Sequence, residues 1–209
     1  MSESPSARSE AKAVRRQALL DAAAGLFAAQ GFAGVSLDDL GAAAGVSGPA
    51  IYRHFAGKQA VLGALLVGVS EELLEGGLRV AGGGLHDTAD DGDGILRALV
   101  AFHVDFALSK PDVIRVQDRD FTNLSPDDRS SVRSLQRRYV DVWARALAGL
   151  HPDASPAELR VRAQAAFGLI NSTPHSVGGG RVPAGRARRL LEAMALAALA
   201  APAPGPSSP

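Results

Sequence analysis

The chain of 209 residues has no cysteine, which excludes disulfides, thiolate metal sites and cysteine nucleophiles. It also lacks an excess of either charge: 22 basic and 22 acidic residues balance, so net charge points to no acidic or basic partner. Lysine is scarce, three against 19 arginines, and Ala-rich stretches recur; high-GC coding bias explains both before function does. No apolar run approaches the ~18 residues needed to span a bilayer, so no membrane partner is expected. The opening MSESPSARSEAKAVRR has no apolar core of a secretory signal, and with no cysteine the expected compartment is the cytoplasm. The phosphate-cradling Gly-x-x-x-x-Gly-Lys-Ser/Thr, GxGxxG and HExxH patterns are missing. Asp91-Gly92-Asp93-Gly94 matches part of a calcium loop but lacks the later ligands and closing Glu, which makes it a solvated turn. The five histidines (54, 86, 103, 151, 175) are not at metal spacing. No catalytic residue, metal or cofactor is therefore expected.

Hydrophobic residues make up 46% and charged residues 21%, the balance of a globular chain long enough for one domain or two small ones. The periodicity is helical nearly throughout and predicts an all-α protein of about nine helices. Leu19, Ala22, Ala23 and Leu26 fall at i, i+3, i+4, i+7 within a helix over 11–30, which Gly31 ends. Ser36 before Leu37-Asp38-Asp39 has the form of a capping box opening a short helix that stops at Gly45. Val46-Ser47, with Pro49 in the first turn, opens another, and Lys58 to about Leu78 reads as a long one. A glycine- and aspartate-rich stretch follows, read as a loop to Gly94. Ile95, Leu99, Phe102 and Phe106 continue one apolar face, and Pro111 starts a short helix to Asp120. Ser125-Pro126-Asp127-Asp128 and Ser155-Pro156-Ala157-Glu158 are start signals for helices to about Leu150 and Asn171. Arg186–Ala201 is the last helix. The expected division is a disordered arm over 1–10, a DNA-binding domain over 11–62, a helical effector-binding and dimerisation domain over 63–201, and a disordered tail over 202–209.

Two short helices joined by Gly-Val-Ser after a longer helix make a helix-turn-helix pattern, with Gly45 at the reversal and Leu40, Val46 and Ile51 as local core. In such a pair the second helix enters the major groove. Its outward residues here are Ser47, Gly48, Ala50, Tyr52 and Arg53. No packing reason is evident for Tyr52, His54 and Lys58 to sit together. Net charge does not help: residues 1–58 carry six basic and five acidic groups. The bases at Arg8 to Arg16 fit both an arm on DNA and a solvated helix start. LLDAAAGLFAAQGF over 19–32 and SLDDLGAAAGVSGPAIYRHFAGKQAVL over 36–62 resemble the N-terminal domain of the TetR family of transcriptional repressors. The resemblance implies that Ser36 and Ser47 meet phosphates or bases, that Tyr52 and His54 fix register on phosphates, and that Lys58 holds a phosphate at the positive end of its helix. Gly48, Pro49, Ala50 and Arg53 would face bases or backbone. The partners implied are a palindromic double-stranded operator and a second copy of the chain.

For the rest, sequence alone gives amphipathic helices with polar or aromatic residues on apolar faces. His103 faces inward, four after Leu99 and three before Phe106. It fits a hydrogen-bonded core residue or a ligand contact. Tyr139 with Trp143, and Phe167 with Asn171, are i, i+4 pairs that line a pocket or fill a core. With Phe102 and Phe106 these make up the candidate effector site. AFHVDFALSKPDVIRVQDRDF, RRYVDVWARAL and AFGLINSTPHSV resemble TetR-type regulators of lipid and acyl-CoA degradation. That implies an acyl-CoA or fatty-acid effector, with Arg115, Arg119, Arg137 and Arg138 as candidates for its phosphates. Small residues (Ala163, Ala165, Ala166, Gly168, then Ala187, Ala195, Ala197, Ala198) make the last two helices the expected homodimer surface. Two other readings stay open: a DNA-binding regulator without a ligand, its C-terminal part serving dimerisation, and a helical enzyme using His103 and Asp105.

Overall fold

Glycine breaks the first two helical segments, proline opens three later helices, and close packing against glycine marks where an expected break fails to occur. The computed structural model describes residues 5–46, 51–83, 91–176 and 182–202. Its elements are α1 (Pro5–Gly34), α2 (Leu37–Ala43), α3 (Lys58–Gly83), α4 (Asp91–Ser109), α5 (Pro111–Asp120), a 3-10 turn (Phe121–Asn123), α6 (Pro126–Leu150), α7 (Pro156–Ile170), α8 (Thr173–Ser176) and α9 (Ala184–Ala200). Among the described residues there is no strand, so the all-α class stands. No helix among them is long and apolar enough to cross a membrane.

The chain divides into two compact units, residues 1–69 with 112–132, and residues 70–111 with 133–209. The division is not at 62/63 as the sequence suggests, because α5, the 3-10 turn and the start of α6 fold with the N-terminal helices. In the first unit α1 packs on α2. The core is Leu19, Leu20, Ala23, Phe27, Val35, Leu40, Ile51, Phe55, Val61 and Leu62, all buried. The helical path of α1 breaks where expected: Gly31 has φ 79° and ψ 158°, a region open to glycine. Arg119 tops the part of α1 before that break, donating to the Phe27 and Ala28 carbonyls, while its side chain pairs with Asp120. A cation on those last carbonyls also complements the helix dipole. Ser36 and Asp39 form the capping box of α2. Its other end is a Schellman motif: Val46 N–H donates to the Gly41 carbonyl, Gly45 N–H donates to the Ala42 carbonyl, and Gly45 has φ 67°. The expected starts of α6 and α7 hold as well, with Ser125 capped by Asp128 and Ser155 by Glu158.

In the second unit α9 packs on α4 and α7, and α4 on α7. Buried Leu96, Leu99, Val100, Val104, Val142, Trp143, Leu147, Ala163, Ala166, Ile170, Ala195 and Leu199 fill the space between them. His151 Nε2–H donates to the Leu199 carbonyl at 2.7 Å, and Arg162 donates to the Ala201 carbonyl at 2.6 Å, so both finish the C-terminal end of α9.

Three expectations need correction. The arm over 1–10 is not wholly irregular: α1 begins at Pro5, because Ala, Arg, Glu and Lys favour helix and proline is tolerated in a first turn. Residues 1–4 lie outside the described residues. The loop expected over 76–94 is helix at both of its ends, since α3 runs to Gly83 and α4 starts at Asp91; residues 84–90 lie outside the described residues. Gly76 and Gly77 stay helical because other helices come too close for a side chain: an added Cβ would stand 2.2 Å from the Phe102 ring and 2.4 Å from the Tyr139 ring, respectively. Of the small residues expected on the homodimer surface, Ala163, Ala166, Ala187 and Ala195 are buried within the chain and serve the α7–α9 contact, whereas Ala165, Gly168, Ala197 and Ala198 are exposed. The glycine linker at 178–180 and the tail over 203–209 lie outside the described residues.

Candidate nucleic-acid interface and effector site

The first unit presents its polar groups on the turn after Ile51. Ile51 is fully buried, and its carbonyl accepts from the His54 and Phe55 N–H groups at 2.8 and 2.9 Å. That anchor pushes Tyr52, 61% exposed, and Arg53 into solvent. The His54 ring is half-buried, with a buried Nδ1 that has no hydrogen-bond partner. Lys58 does have a structural reason to be here, which the sequence did not reveal. Its ammonium donates to the Val35 carbonyl at 2.7 Å and the Ala33 carbonyl at 3.4 Å, and stands 4.6 Å from the Phe32 ring centroid. It ties the end of α1 to the start of α2. An ammonium has three donors, so one remains for an anion.

Val35, Ser36, Asp38, Asp39, Tyr52 and Lys58 line a surface depression of about 480 Å³. Ser36 is engaged inside it: its N–H and hydroxyl both donate to Asp39 Oδ2, at 2.8 and 2.6 Å. Those hydrogen bonds hold the Asp39 carboxyl below the usual carboxylate range. A phosphate at Ser36 has to displace Asp39, so the capping role is the one the geometry favours. Ser47, Gly48, Pro49 and Ala50 lie outside the described residues. Arg15 and Arg16 are exposed on α1, with Arg16 5.2 Å from the centroid of the Phe55 ring.

The second unit brings six of the seven candidate effector residues together. His103 on α4 is 2% exposed. Its Nδ1 lies 3.2 Å from the Tyr139 hydroxyl of α6 and its Nε2 3.2 Å from Asn171 Oδ1 at the end of α7. Because Oδ1 only accepts, Nε2 carries the proton, and the tyrosine O–H donates to Nδ1. Rings surround this polar pair. Phe167 stacks on His103 at 4.7 Å and on Tyr139 at 5.3 Å, and meets Trp143 edge-on at 4.9 Å. Phe106 lies 6.0 Å from His103. Phe102 stands apart from these polar contacts, with its ring tip on the backbone of Gly76. Trp143 is fully buried and its Nε1–H has no hydrogen-bond partner. It still faces the Tyr139 hydroxyl, whose pKa burial raises and the indole N–H works to lower.

Burial lowers the His103 pKa to about 4, so the ring is neutral at pH 7. A folded-state pKa below the unfolded value makes this histidine stabilising above pH 6.5, with the contribution lost as pH falls from 6.5 towards 4. The full loss amounts to about 3 kcal/mol. Denaturant melts at pH 7.5, 5.5 and 4.5 should show wild type weakening with acid more steeply than His103→Gln, which keeps a donor and an acceptor but does not titrate. Equal slopes would mean that His103 is not buried neutral.

The structure separates the acid–base pair that an enzyme would need: Asp105 is exposed and ion-paired with Arg188, away from buried His103. The arginines expected at effector phosphates are also divided. Arg115 pairs with Asp112, and Arg119 is committed to the α1 carbonyls. Only Arg137 and Arg138 belong to the same unit as the cluster; Arg137 lines a groove of about 420 Å³ with Arg133, Gln136 and Arg160. Among the described residues no three His, Asp or Glu side chains gather as metal ligands. Gly76 and Gly77 were not among the candidate residues, although two adjacent glycines inside a helical pattern were the available signal.

A capped, Schellman-terminated α2 packed on α1, with an exposed tyrosine and arginine after it, is the arrangement expected of the first part of a helix-turn-helix head. Residues 19–65 match the family model of bacterial regulatory proteins of the tetR family, and residues 90–175 match a tetracyclin repressor-like C-terminal domain. The chain belongs to the TetR family. It is 25% identical over 175 residues to the HTH-type transcriptional repressor KstR2 of Rhodococcus jostii (strain RHA1), covering 83% of this chain and 82% of that one. A TetR-family regulator from Bordetella parapertussis 12822 superposes with a TM-score of 0.73 at 25% identity, over 87% of this chain and 93% of that one. AibR, solved in complex with isovaleryl coenzyme A and operator DNA, gives a TM-score of 0.68 at 19% identity, over 86% and 97%; at that identity the likeness is one of fold.

Proposed function

We propose that this TetR-family regulator is a cytoplasmic, ligand-responsive repressor that leaves a palindromic operator when a small hydrophobic effector of the acyl-CoA or fatty-acid class binds its second unit. The observation that carries the reading is the polar pair His103–Asn171, with Tyr139, held inside an aromatic cluster. Polar groups inside an apolar core cost free energy that plain packing residues avoid, and convergent polar groups among rings are what an effector site needs. AibR, of the same fold, is bound to an acyl-CoA and to operator DNA, which is consistent with this reading. Phe102, His103, Phe106, Tyr139, Trp143, Phe167 and Asn171 are the proposed effector residues. Tyr52, Arg53, His54 and Lys58, with Ser36 and the 47–50 segment, are the proposed DNA-contacting ones.

The proposed homodimer forms through α7 and α9. Val161, Leu190 and Met194 are 64%, 54% and 47% exposed on these two helices, large apolar groups that a partner would cover. Two-fold symmetry then sets half-sites roughly 34–36 Å apart. Effector binding favours the protomer arrangement it binds best, and α3 and α6, each of which contributes residues to both units, are the routes by which the head would respond.

One observation favours a second reading, regulation without a ligand: the rings of the cluster contact one another. Thermal melts and operator titrations with CoA thioesters of increasing chain length separate the two. The effector reading expects a rise of about 2.7 kcal/mol in stability at a hundredfold excess over Kd, with release of labelled inverted-repeat DNA. A series in which no acyl compound moves either signal would leave the second reading standing.

A further inference from the structure

Phe167 holds a singular place in the cluster. It is half-buried, yet it makes the three shortest ring contacts there, with His103, Trp143 and Tyr139 at 4.7, 4.9 and 5.3 Å. Beside it lies a buried donor, Trp143 Nε1–H, which is aimed at the Tyr139 hydroxyl but falls short of hydrogen-bond distance. The other polar atoms of the core are matched: the tyrosine O–H is given to His103 Nδ1 and the His103 Nε2–H to Asn171. A buried N–H left unpaired costs about 1–3 kcal/mol, and a ligand acceptor removes that cost.

We propose that Phe167 occupies the place of the effector's carbonyl end, and that a neutral acyl group, a thioester or ester, displaces the ring so that its oxygen accepts from Trp143 Nε1–H. This assignment rests on the reading that the second unit takes an acyl effector, and adds which end of it lies in the cluster and in which ionisation state. A free carboxylate is excluded by the surroundings. His103 is neutral at pH 7, and Asn171, Tyr139, Phe106 and Trp143 carry no positive charge. Lys110, 5.9 Å from the Phe106 centroid, is ion-paired with Glu72. An ionised carboxylate there would lose its hydration with no cation in return.

Trp143 is the one tryptophan in the chain, so intrinsic fluorescence reports on this site alone. The full-length protein is titrated with three probes: the N-acetylcysteamine thioester of octanoic acid, the matching octyl thioether that lacks only the acyl oxygen, and octanoate. The thioester should bind about tenfold more tightly than the thioether, the worth of one buried hydrogen bond, with a red-shifted Trp143 emission that the thioether does not produce. Octanoate should bind more weakly than the thioester. In Trp143→Phe, followed by thermal shift, thioester and thioether should become equal. Equal binding of the two by wild type, or a preference that survives in Trp143→Phe, overturns the assignment. If Trp143→Phe does not fold, the wild-type pair and its emission decide alone. CoA thioesters that release DNA while the two probes bind equally would overturn this assignment and spare the effector reading. No acyl compound acting at all would end both.

Discussion

Gly77→Ala should lower the thermal midpoint by about 4–8 °C, a large effect for one methyl group. Helix propensity alone predicts the opposite sign, since alanine is favoured over glycine in a helix interior by about 1 kcal/mol. The tertiary structure reverses it. An added Cβ at Gly77 would stand 2.4 Å from Tyr139 Cε2 and 3.0 Å from Cδ2, and at Gly76 2.2 Å from Phe102 Cζ. The Tyr139 ring cannot swing away freely. It is 4% exposed, stacked on Phe167 and tied to His103. Overpacking of this kind costs about 1–3 kcal/mol and occasionally more. Each kcal/mol is worth roughly 2–4 °C in a chain of this size. Gly68 supplies the control in the same helix, because a Cβ there meets nothing within 4 Å. Gly68→Ala should be neutral or raise the midpoint by up to about 4 °C, following propensity. A Gly77→Ala protein as stable as Gly68→Ala would show that α3 does not approach Tyr139 this closely. Because the ring that moves is the one bound to His103, Gly77→Ala should also flatten the acid dependence of stability described above.

These glycines show where reading the sequence stopped. Signals that act within a turn were legible: the Ser36–Asp39 and Ser155–Glu158 boxes, the positive φ of Gly31 and Gly45, and the prolines that open α6 and α7 are all local chemistry. So was the inward face of His103, because period 3.6 fixes which side of a helix a residue occupies. What could not be read depends on a partner far along the chain. Gly76 and Gly77 look like the start of a loop until rings 26 and 62 residues away are placed on them. Arg119 looks like a free cation until it reaches carbonyls some ninety residues earlier. Lys58 is the instructive middle case. The family resemblance assigned it a phosphate, while its bonds to Val35 and Ala33 make it first a brace of the head. The small residues of α7 and α9 divide: Ala163, Ala166, Ala187 and Ala195 serve the fold of one chain, while Ala165, Gly168, Ala197 and Ala198 are exposed, as are Val161, Leu190 and Met194.

That double duty of Lys58 separates two kinds of loss in DNA binding. With an inverted repeat selected from random duplex, Tyr52→Ala should weaken binding by about tenfold or more while the thermal midpoint stays unchanged, because the ring is 61% exposed and packs little. One lost contact of about 1.4 kcal/mol suffices for that factor. Arg53→Ala should weaken binding to a similar degree and reduce the slope of log K against log salt by about one if it neutralises a phosphate. If it reads a base instead, the slope stays and discrimination at one position falls by about 1–3 kcal/mol. Lys58→Met should do more. The Val35 and Ala33 carbonyls lose a charged donor worth about 1.5–3 kcal/mol. The midpoint should therefore fall, and operator affinity should fall further than for Tyr52→Ala, since both the brace and the spare ammonium donor are gone. Measuring all three at several salt concentrations matters, because a purely electrostatic loss shrinks at high salt and a misplaced head does not. Wild-type affinity in Tyr52→Ala and Arg53→Ala at matched salt would remove the turn after Ile51 from the interface, whatever Lys58→Met does.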